Sequence, residues 1–174
     1  MVVISDAMKP ALICVYAALE GLFLWGITWF FEVPLEMPGI GILAALLTFL
    51  ILGAMIAIYR AGLIAWDRNI AIAVSSSVAA IFLIYLVSLI GSISGLYHVP
   101  YIHGSGPVGI AFSLFVVGIG ALCLVADFDF IERGVQRGAP KKLEWRAAFG
   151  LMVTLTWLYF EILKLLAKIA ASRR

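Results

Sequence analysis

Apolar residues run along the chain in five long stretches, and short connections rich in proline, glycine and charge separate them. The stretches cover about residues 10–31, 38–59, 69–95, 107–130 and 145–171. Each holds roughly the 20 residues that a helix, rising about 1.5 Å per residue, needs to cross a hydrocarbon layer about 30 Å thick. The pattern predicts an all-α fold, a polytopic membrane helix bundle of five spanning helices that forms a single transmembrane domain over residues 1–174.

The composition supports a membrane protein and narrows its function. Hydrophobic residues make up 64% of the chain, charged residues make up 13%, and the mean hydropathy is +1.13, whereas about a quarter of the residues in a soluble domain are charged. A net charge of +2, spread over the connections, provides no basic face for nucleic acid. The sequence contains no phosphate-binding loop, nucleophile motif or zinc motif, so we expect neither an enzyme nor a resident cofactor.

The distribution of lysine and arginine predicts the orientation. Residues of these two types gather on one side of the predicted bundle: Lys9, Arg60, Arg68, Arg133, Arg137, Lys141, Lys142 and Arg146. The two opposite connections, residues 32–38 and 97–106, contain none. Since cytoplasmic connections carry the excess of positive charge, we expect an inner-membrane protein with a cytoplasmic N-terminus. The first residues lack the basic segment of a signal peptide, so we expect the first helix to be retained.

The last helix is an exception to this distribution. As a fifth span it would carry the lysines and arginines that follow residue 163 to the outer side. Only 17 residues, one of them Glu161, separate Arg146 from Lys164, which is short and polar for a span that faces lipid. We therefore expect the last helix to be the most enclosed one, or else re-entrant.

Four acids lie inside or at the edge of the apolar stretches: Glu20, Asp127, Asp129 and Glu161. From the helical rise, Glu20 lies about 16 Å, Asp127 about 9 Å and Thr154 about 12 Å from the cytoplasmic basic residue of the same helix. These positions could share one layer of the membrane. Glu161 lies two turns beyond Thr154 on the same helical face, so a column of oxygen ligands could run from Asp127 past Thr154 to Glu161. Acids in such places are functional-site candidates.

Intrahelical ion pairs are the alternative interpretation for two of these acids. Asp129 precedes Arg133 by four residues, and Glu161 precedes Lys164 by three, which are the spacings of neighbouring side chains on a helix. The other two acids have no basic residue three or four positions away. They are therefore the stronger candidates for an ion path.

Two segments resemble a known family. Residues 16–32, YAALEGLFLWGITWFFE, and residues 99–168, which include LVADFDFIERG and TLTWLYFEILKLLAK, resemble the bacterial branch of the Bax inhibitor / YccA (TMBIM) membrane proteins. The resemblance implies a seven-helix fold with a central last helix. It also implies a pH-sensitive, calcium-permeable leak governed by one acid near the end of the sixth helix and one in the seventh. By this resemblance the five helices correspond to the third to seventh, and the first two are absent.

The family's acids carry over only in part. Asp127 falls on the sixth-helix acid, whereas the seventh-helix acid falls on Thr154. Glu20 could supply the missing carboxylate at similar depth, which would make Glu20 and Asp127 the pair and the possible calcium ligands. Glu161 is then a second, outer acid. If two neighbouring helices are absent, Thr154 and Thr156 would be left for a second copy or another membrane protein to cover.

Such a pair of acids would respond to pH. Burial and a neighbouring like charge both oppose ionisation of a carboxyl group. Protons would then compete with calcium, which takes six to eight oxygen ligands from carboxylates, hydroxyls, carbonyls and water. The leading interpretation is a pH-sensitive calcium leak in the lipid bilayer. The alternative, suggested for some YccA-like proteins, is a non-conducting adaptor that modulates another membrane protein such as a quality-control protease.

Overall fold

The computed structural model describes residues 10–94 and 104–173, which form five helices. These are α1 (Pro10–Glu32), α2 (Ile40–Arg60), α3 (Arg68–Ser94), α4 (Pro107–Gln136) and α5 (Lys142–Ser172). All five are long and apolar enough to cross a membrane, and the described residues contain no strand. The predicted all-α bundle with five spans is confirmed. The predicted third connection lies mostly outside the described residues.

Local side-chain chemistry sets the helix ends. Pro107 opens α4, where its missing N–H is not needed. Gly39 precedes α2 with a φ of 79°, a left-handed conformation that glycine adopts without strain. Helix α4 continues past residue 130, where the apolar stretch ends, to Gln136. Hydrogen bonds across one turn, from Arg133 to Asp129 (2.9 Å) and from Gln136 to Glu132 (3.2 Å), support these additional turns.

Helices α4 and α5 form the centre of the bundle. They pack along each other, α2 packs against both, α1 packs against α5 and α2, and α3 packs against α4. Leu124 of α4 and Leu158 and Leu163 of α5 are fully buried at this contact. Gly120 allows the close approach, because a Cβ atom there would lie 3.1 Å from Cδ1 of Leu158.

The last helix packs against α1, α2 and α4, as its expected enclosure requires, although α4 has more fully buried residues. Eight residues of α4 are buried, whereas five residues of α5 are. The difference arises because α3 covers a further face of α4, so that Val116 and Ile119 pack against Val74 and Ile81. In α5 the buried residues begin at Leu158, and the first turns lie nearer the surface.

The bundle has two ends. One end holds the start of α1 and the connections at residues 61–67 and 137–141. We call it the basic end, because the described arginines and lysines of the predicted cytoplasmic side lie there. The opposite end holds the connection at residues 33–39. Helices α1 and α5 run in the same direction, since Tyr16 packs on Phe149 nearer the basic end and Thr28 hydrogen-bonds Tyr159 nearer the opposite end.

Candidate functional site

Asp127 lies on α4 and faces α5. Its Oδ1 would lie 3.4 Å from a Cβ atom at Gly150, and the side chain of Thr154 lies beside its carboxyl group. The Thr154 hydroxyl donates to the carbonyl oxygen of Gly150 (3.2 Å). A hydroxyl has a single proton, so it can donate to only one of these acceptors at a time. Oδ2 of Asp127 is buried and has no hydrogen-bond partner among the described residues.

Glu20 is a second acid with one open oxygen. Tyr16, one turn earlier on α1, donates a hydrogen bond to Oε1 (3.1 Å), whereas Oε2 is buried without a partner in the described part of the chain. The ring of Tyr16 packs on Phe149, with 5.0 Å between ring centroids. Because α1 and α5 run in the same direction, Glu20 lies one turn beyond Phe149, at the level of Gly150 and the turn that follows it.

The structure places Glu20 and Asp127 at the same level but does not join them. Asp127 faces Gly150 and the turn after it, which is also the level of Glu20. Helices α1 and α4, however, make no direct packing contact, and α5 and α2 lie between them. No hydrogen bond connects the two carboxyl groups, both of which belong to the described residues.

Asp129 points toward the basic end. Its carboxylate forms an ion pair with Nε of Arg133 (2.9 Å), and the same guanidinium donates to the carbonyl oxygen of Trp66 (3.2 Å). The neighbouring acid Glu132 accepts a hydrogen bond from the hydroxyl of Tyr59. The intrahelical ion pair that the spacing of Asp129 and Arg133 allowed is therefore present, and it ties α4 to the connection at residues 61–67.

Glu161 is buried, with 1% of its surface exposed, and it is surrounded by donors. Nζ of Lys164 lies 2.7 Å from Oε1. The hydroxyl of Tyr85 on α3 donates to Oε2 (3.0 Å), and the indole of Trp157 donates to Oε1 (3.2 Å). The alternative interpretation of its spacing, an ion pair with Lys164, is thus present. The predicted column of oxygen ligands ends in a carboxylate that already has a cation.

Comparison with protein families identifies the chain. The family model described as Bax inhibitor 1 like matches residues 1–171. The chain belongs to the Bax inhibitor 1-like family. Neither the curated proteins nor the solved structures yielded a match. The resemblance of the two quoted segments is thereby confirmed at the level of the family, while the bacterial branch and the numbering of the helices stay predictions.

In this Bax inhibitor 1-like chain the acids fall into two groups. Asp129 and Glu161 have their own cations, whereas Asp127 and Glu20 each keep one buried oxygen without a partner. The described residues contain no group of three or more histidine, cysteine, aspartate or glutamate side chains that could hold a metal ion. A calcium ion at Asp127 would therefore need the Thr154 hydroxyl, backbone carbonyls and water to complete its oxygen ligands.

Sequence reasoning missed most of the polar contacts in the half nearer the opposite end. Trp157 precedes Glu161 by four residues, so their contact could have been predicted from the spacing. Tyr85, in contrast, lies 76 residues away on another helix. Lys168 likewise donates to the hydroxyl of Ser113 (2.8 Å) at the start of α4. Such partners depend on which helix faces which, and spacing along the chain does not specify that.

Proposed function

We propose that this Bax inhibitor 1-like protein is a pH-sensitive cation leak, with calcium as the candidate ion and Asp127 and Glu20 as the gating acids. One observation supports the proposal above all: Oδ2 of Asp127 and Oε2 of Glu20 are both buried at one level without a hydrogen-bond partner in the described residues. A charged, unpartnered carboxylate in a membrane bundle is costly. A proton or a cation would remove that cost.

Competition between the two gives the proposed mechanism. With a proton bound, the Asp127 carboxyl group is neutral and attracts a cation only weakly. With the proton lost, its oxygens become hard ligands, and the Thr154 hydroxyl beside them can turn an oxygen lone pair toward a cation. Cation occupancy of this site therefore rises with pH. Glu20, on the other side of α5, offers its own open oxygen to a cation.

The two paired acids have different roles in this proposal. Asp129, held by Arg133 at the basic end, lies where a cation would enter or leave, and the guanidinium already balances its charge. Glu161 lies beyond Thr154 toward the opposite end, and its carboxylate already forms an ion pair with Lys164. We therefore assign Glu161 to the wall of the path and not to its binding site.

The proposal places the protein in the cell membrane with the basic end in the cytoplasm. Arg60, Arg68, Arg133 and Arg137 belong to that end, together with the other basic residues of the connections, and the described connection at residues 33–39 at the opposite end has no lysine or arginine. This asymmetry supports the orientation because positive charge is retained on the cytoplasmic side.

Calcium flux into proteoliposomes tests the function. We expect Asp127→Asn to abolish the pH dependence of flux between roughly pH 6 and 8, because an amide stays neutral and binds calcium weakly at every pH. The matched control is Asp129→Asn, two residues away in the same helix. It should change the pH dependence less, because Asp129 already has Arg133 as its cation.

The outcomes separate the candidate functions. Equal effects of Asp127→Asn and Asp129→Asn would contradict the assignment of Asp127 as the sensor. A pH dependence that neither variant alters would do the same. If the purified wild-type protein moves no calcium at any pH, the leak is wrong and the adaptor hypothesis is favoured, with a membrane-protein partner or a second copy as the object of search.

A further inference from the structure

A cavity of about 570 Å³ opens at the basic end, between α4, α5 and the connection at residues 61–67. Small side chains keep it open, and they are Ala126, Gly134, Ala139 and Ala147. Its larger apolar walls are Trp66, Phe130, Ile131, Val135 and Leu143, with Pro140 at the connection. The volume lies within the range of small-molecule sites.

Four charged side chains line this cavity, and two of them are already engaged. Asp129 and Arg133 form an ion pair with each other (2.9 Å), and Arg133 also donates to the Trp66 carbonyl (3.2 Å). Arg137 and Glu144 are exposed, and neither side chain makes a hydrogen bond or ion pair to any residue that the structure describes. Among the residues that the structure describes, the cavity therefore offers one free cation and one free anion, and the charges of its lining sum to zero.

The cavity lies at the level of the lipid headgroups. Residues 107–126 of α4 contain no aspartate, glutamate, lysine, arginine or histidine, and at about 1.5 Å per residue they span the roughly 30 Å of a hydrocarbon layer. The charged residues of the cavity begin only after this run. Beside them, Phe130 and Val135 are 44% and 76% exposed, which suits contact with acyl chains near the interface.

We propose that this cavity binds the headgroup of phosphatidylethanolamine, with the phosphate on Arg137 and the ammonium on Glu144. A guanidinium binds a phosphate through two parallel hydrogen bonds, and a carboxylate accepts strong hydrogen bonds from an ammonium group. A neutral lining with separate opposite charges matches a zwitterionic headgroup. Phosphatidylglycerol has no cation for Glu144, and the quaternary ammonium of phosphatidylcholine cannot donate a hydrogen bond to it. The inference does not depend on whether the protein conducts cations.

Native mass spectrometry of the purified protein tests this binding. The protein is equilibrated with phosphatidylethanolamine, phosphatidylcholine or phosphatidylglycerol that carry identical acyl chains, and the retained lipid is counted. We expect phosphatidylethanolamine to bind about tenfold more tightly than phosphatidylcholine, as the loss of one charge-assisted hydrogen bond would give. This ratio corresponds to about 1.4 kcal/mol.

Three variants assign the contacts. Glu144→Gln should reduce the preference for phosphatidylethanolamine over phosphatidylcholine to near unity, and Arg137→Gln should weaken the binding of both lipids. Lys142→Gln is the control, because Lys142 is exposed at the same end but does not line the cavity. All three side chains are exposed, so the variants should elute and melt like the parent protein.

Two results would overturn the proposal. One is a preference for phosphatidylethanolamine that survives Glu144→Gln. The other is tightest binding of phosphatidylglycerol, with Lys142→Gln as harmful as Arg137→Gln, because this pattern reports general attraction of anionic lipid to the basic end.

Discussion

Replacing Lys164 by methionine should destabilise the bundle, because it leaves a buried charge without its cation. Glu161 is 1% exposed, and its Oε1 lies 2.7 Å from Nζ of Lys164. Nζ also donates to the hydroxyl of Tyr85 (3.0 Å) and lies 4.6 Å from the centroid of the Phe160 ring. Methionine keeps an unbranched, flexible side chain in this place, so the main change is the loss of charge.

The contacts of Glu161 determine how much unfolding free energy Lys164→Met should lose. Removal of one partner of a buried ion pair costs about 3–5 kcal/mol in unfolding free energy. Tyr85 and Trp157 still donate to Glu161 in the variant, and each such bond contributes about 1 kcal/mol. We therefore expect a loss near the lower limit, about 3 kcal/mol.

Removing the charge of Glu161 instead should lower the unfolding free energy by less. Glu161→Gln keeps the shape and the acceptor oxygen, and it leaves Lys164 as the lone charge. The side chain of Lys164 is 23% exposed whereas that of Glu161 is 2% exposed, so the ammonium group can move toward the surface along its flexible stem. We expect a loss of about 1–2 kcal/mol. The double variant, Glu161→Gln with Lys164→Met, leaves neither charge in the protein. Its loss of unfolding free energy should therefore stay near that of Glu161→Gln alone.

Unfolding of the four proteins in one detergent, followed by tryptophan fluorescence, measures this double-mutant cycle. The expected coupling free energy is about 2–3 kcal/mol, at the upper end for residues in contact. Lys142→Met, an exposed lysine at the basic end, should change stability by less than about 0.5 kcal/mol. Single losses that add to within about 0.5 kcal/mol in the double variant would show that the two side chains are independent, and the reasoning would fail.

Two further predictions concern the same unfolding measurement. Gly41→Ala should lower stability by about 1–3 kcal/mol, because a Cβ atom there would collide with Cγ2 of Thr28. Gly53→Ala, in the same helix with no neighbouring atom within 4 Å, should be neutral or stabilising by up to about 1 kcal/mol, and equal losses would contradict this account. Asp127→Asn should leave stability unchanged or raise it, because it removes a charge next to an unpartnered oxygen. A loss as large as that of Glu161→Gln would mean that Asp127 is a structural acid.

The number and type of the helices could be predicted because they depend on local properties of the chain. About 20 consecutive apolar residues are enough to specify a span, wherever the helix then packs. The end of α4 could not be predicted as well, since hydropathy falls after residue 130 while the side-chain pairs of Arg133 and Gln136 continue the helix. The greater burial of α4 could not be predicted for a similar reason, because the contact of α3 with α4 depends on tertiary packing.

The candidate site was predictable along each helix and not across helices. A fixed rise per residue gave depths of about 16 Å for Glu20 and about 9 Å for Asp127, and a three-residue spacing gave the ion pair of Glu161 and Lys164. In a soluble protein the apolar stripe of a helix indicates which face is buried. Here both the lipid-facing and the buried faces are apolar, so the pattern could not indicate that α5 and α2 separate α1 from α4.

The separation of Glu20 from Asp127 changes how the proposed pH sensor would work. Two acids in contact would share one proton, and their mutual repulsion would control its loss. In the structure, helices α1 and α4 do not touch, so a proton on one acid does not satisfy the open oxygen of the other. At the position where the family resemblance places the second acid, Asp127 has the neutral hydroxyl of Thr154, and the site therefore holds one negative charge at most.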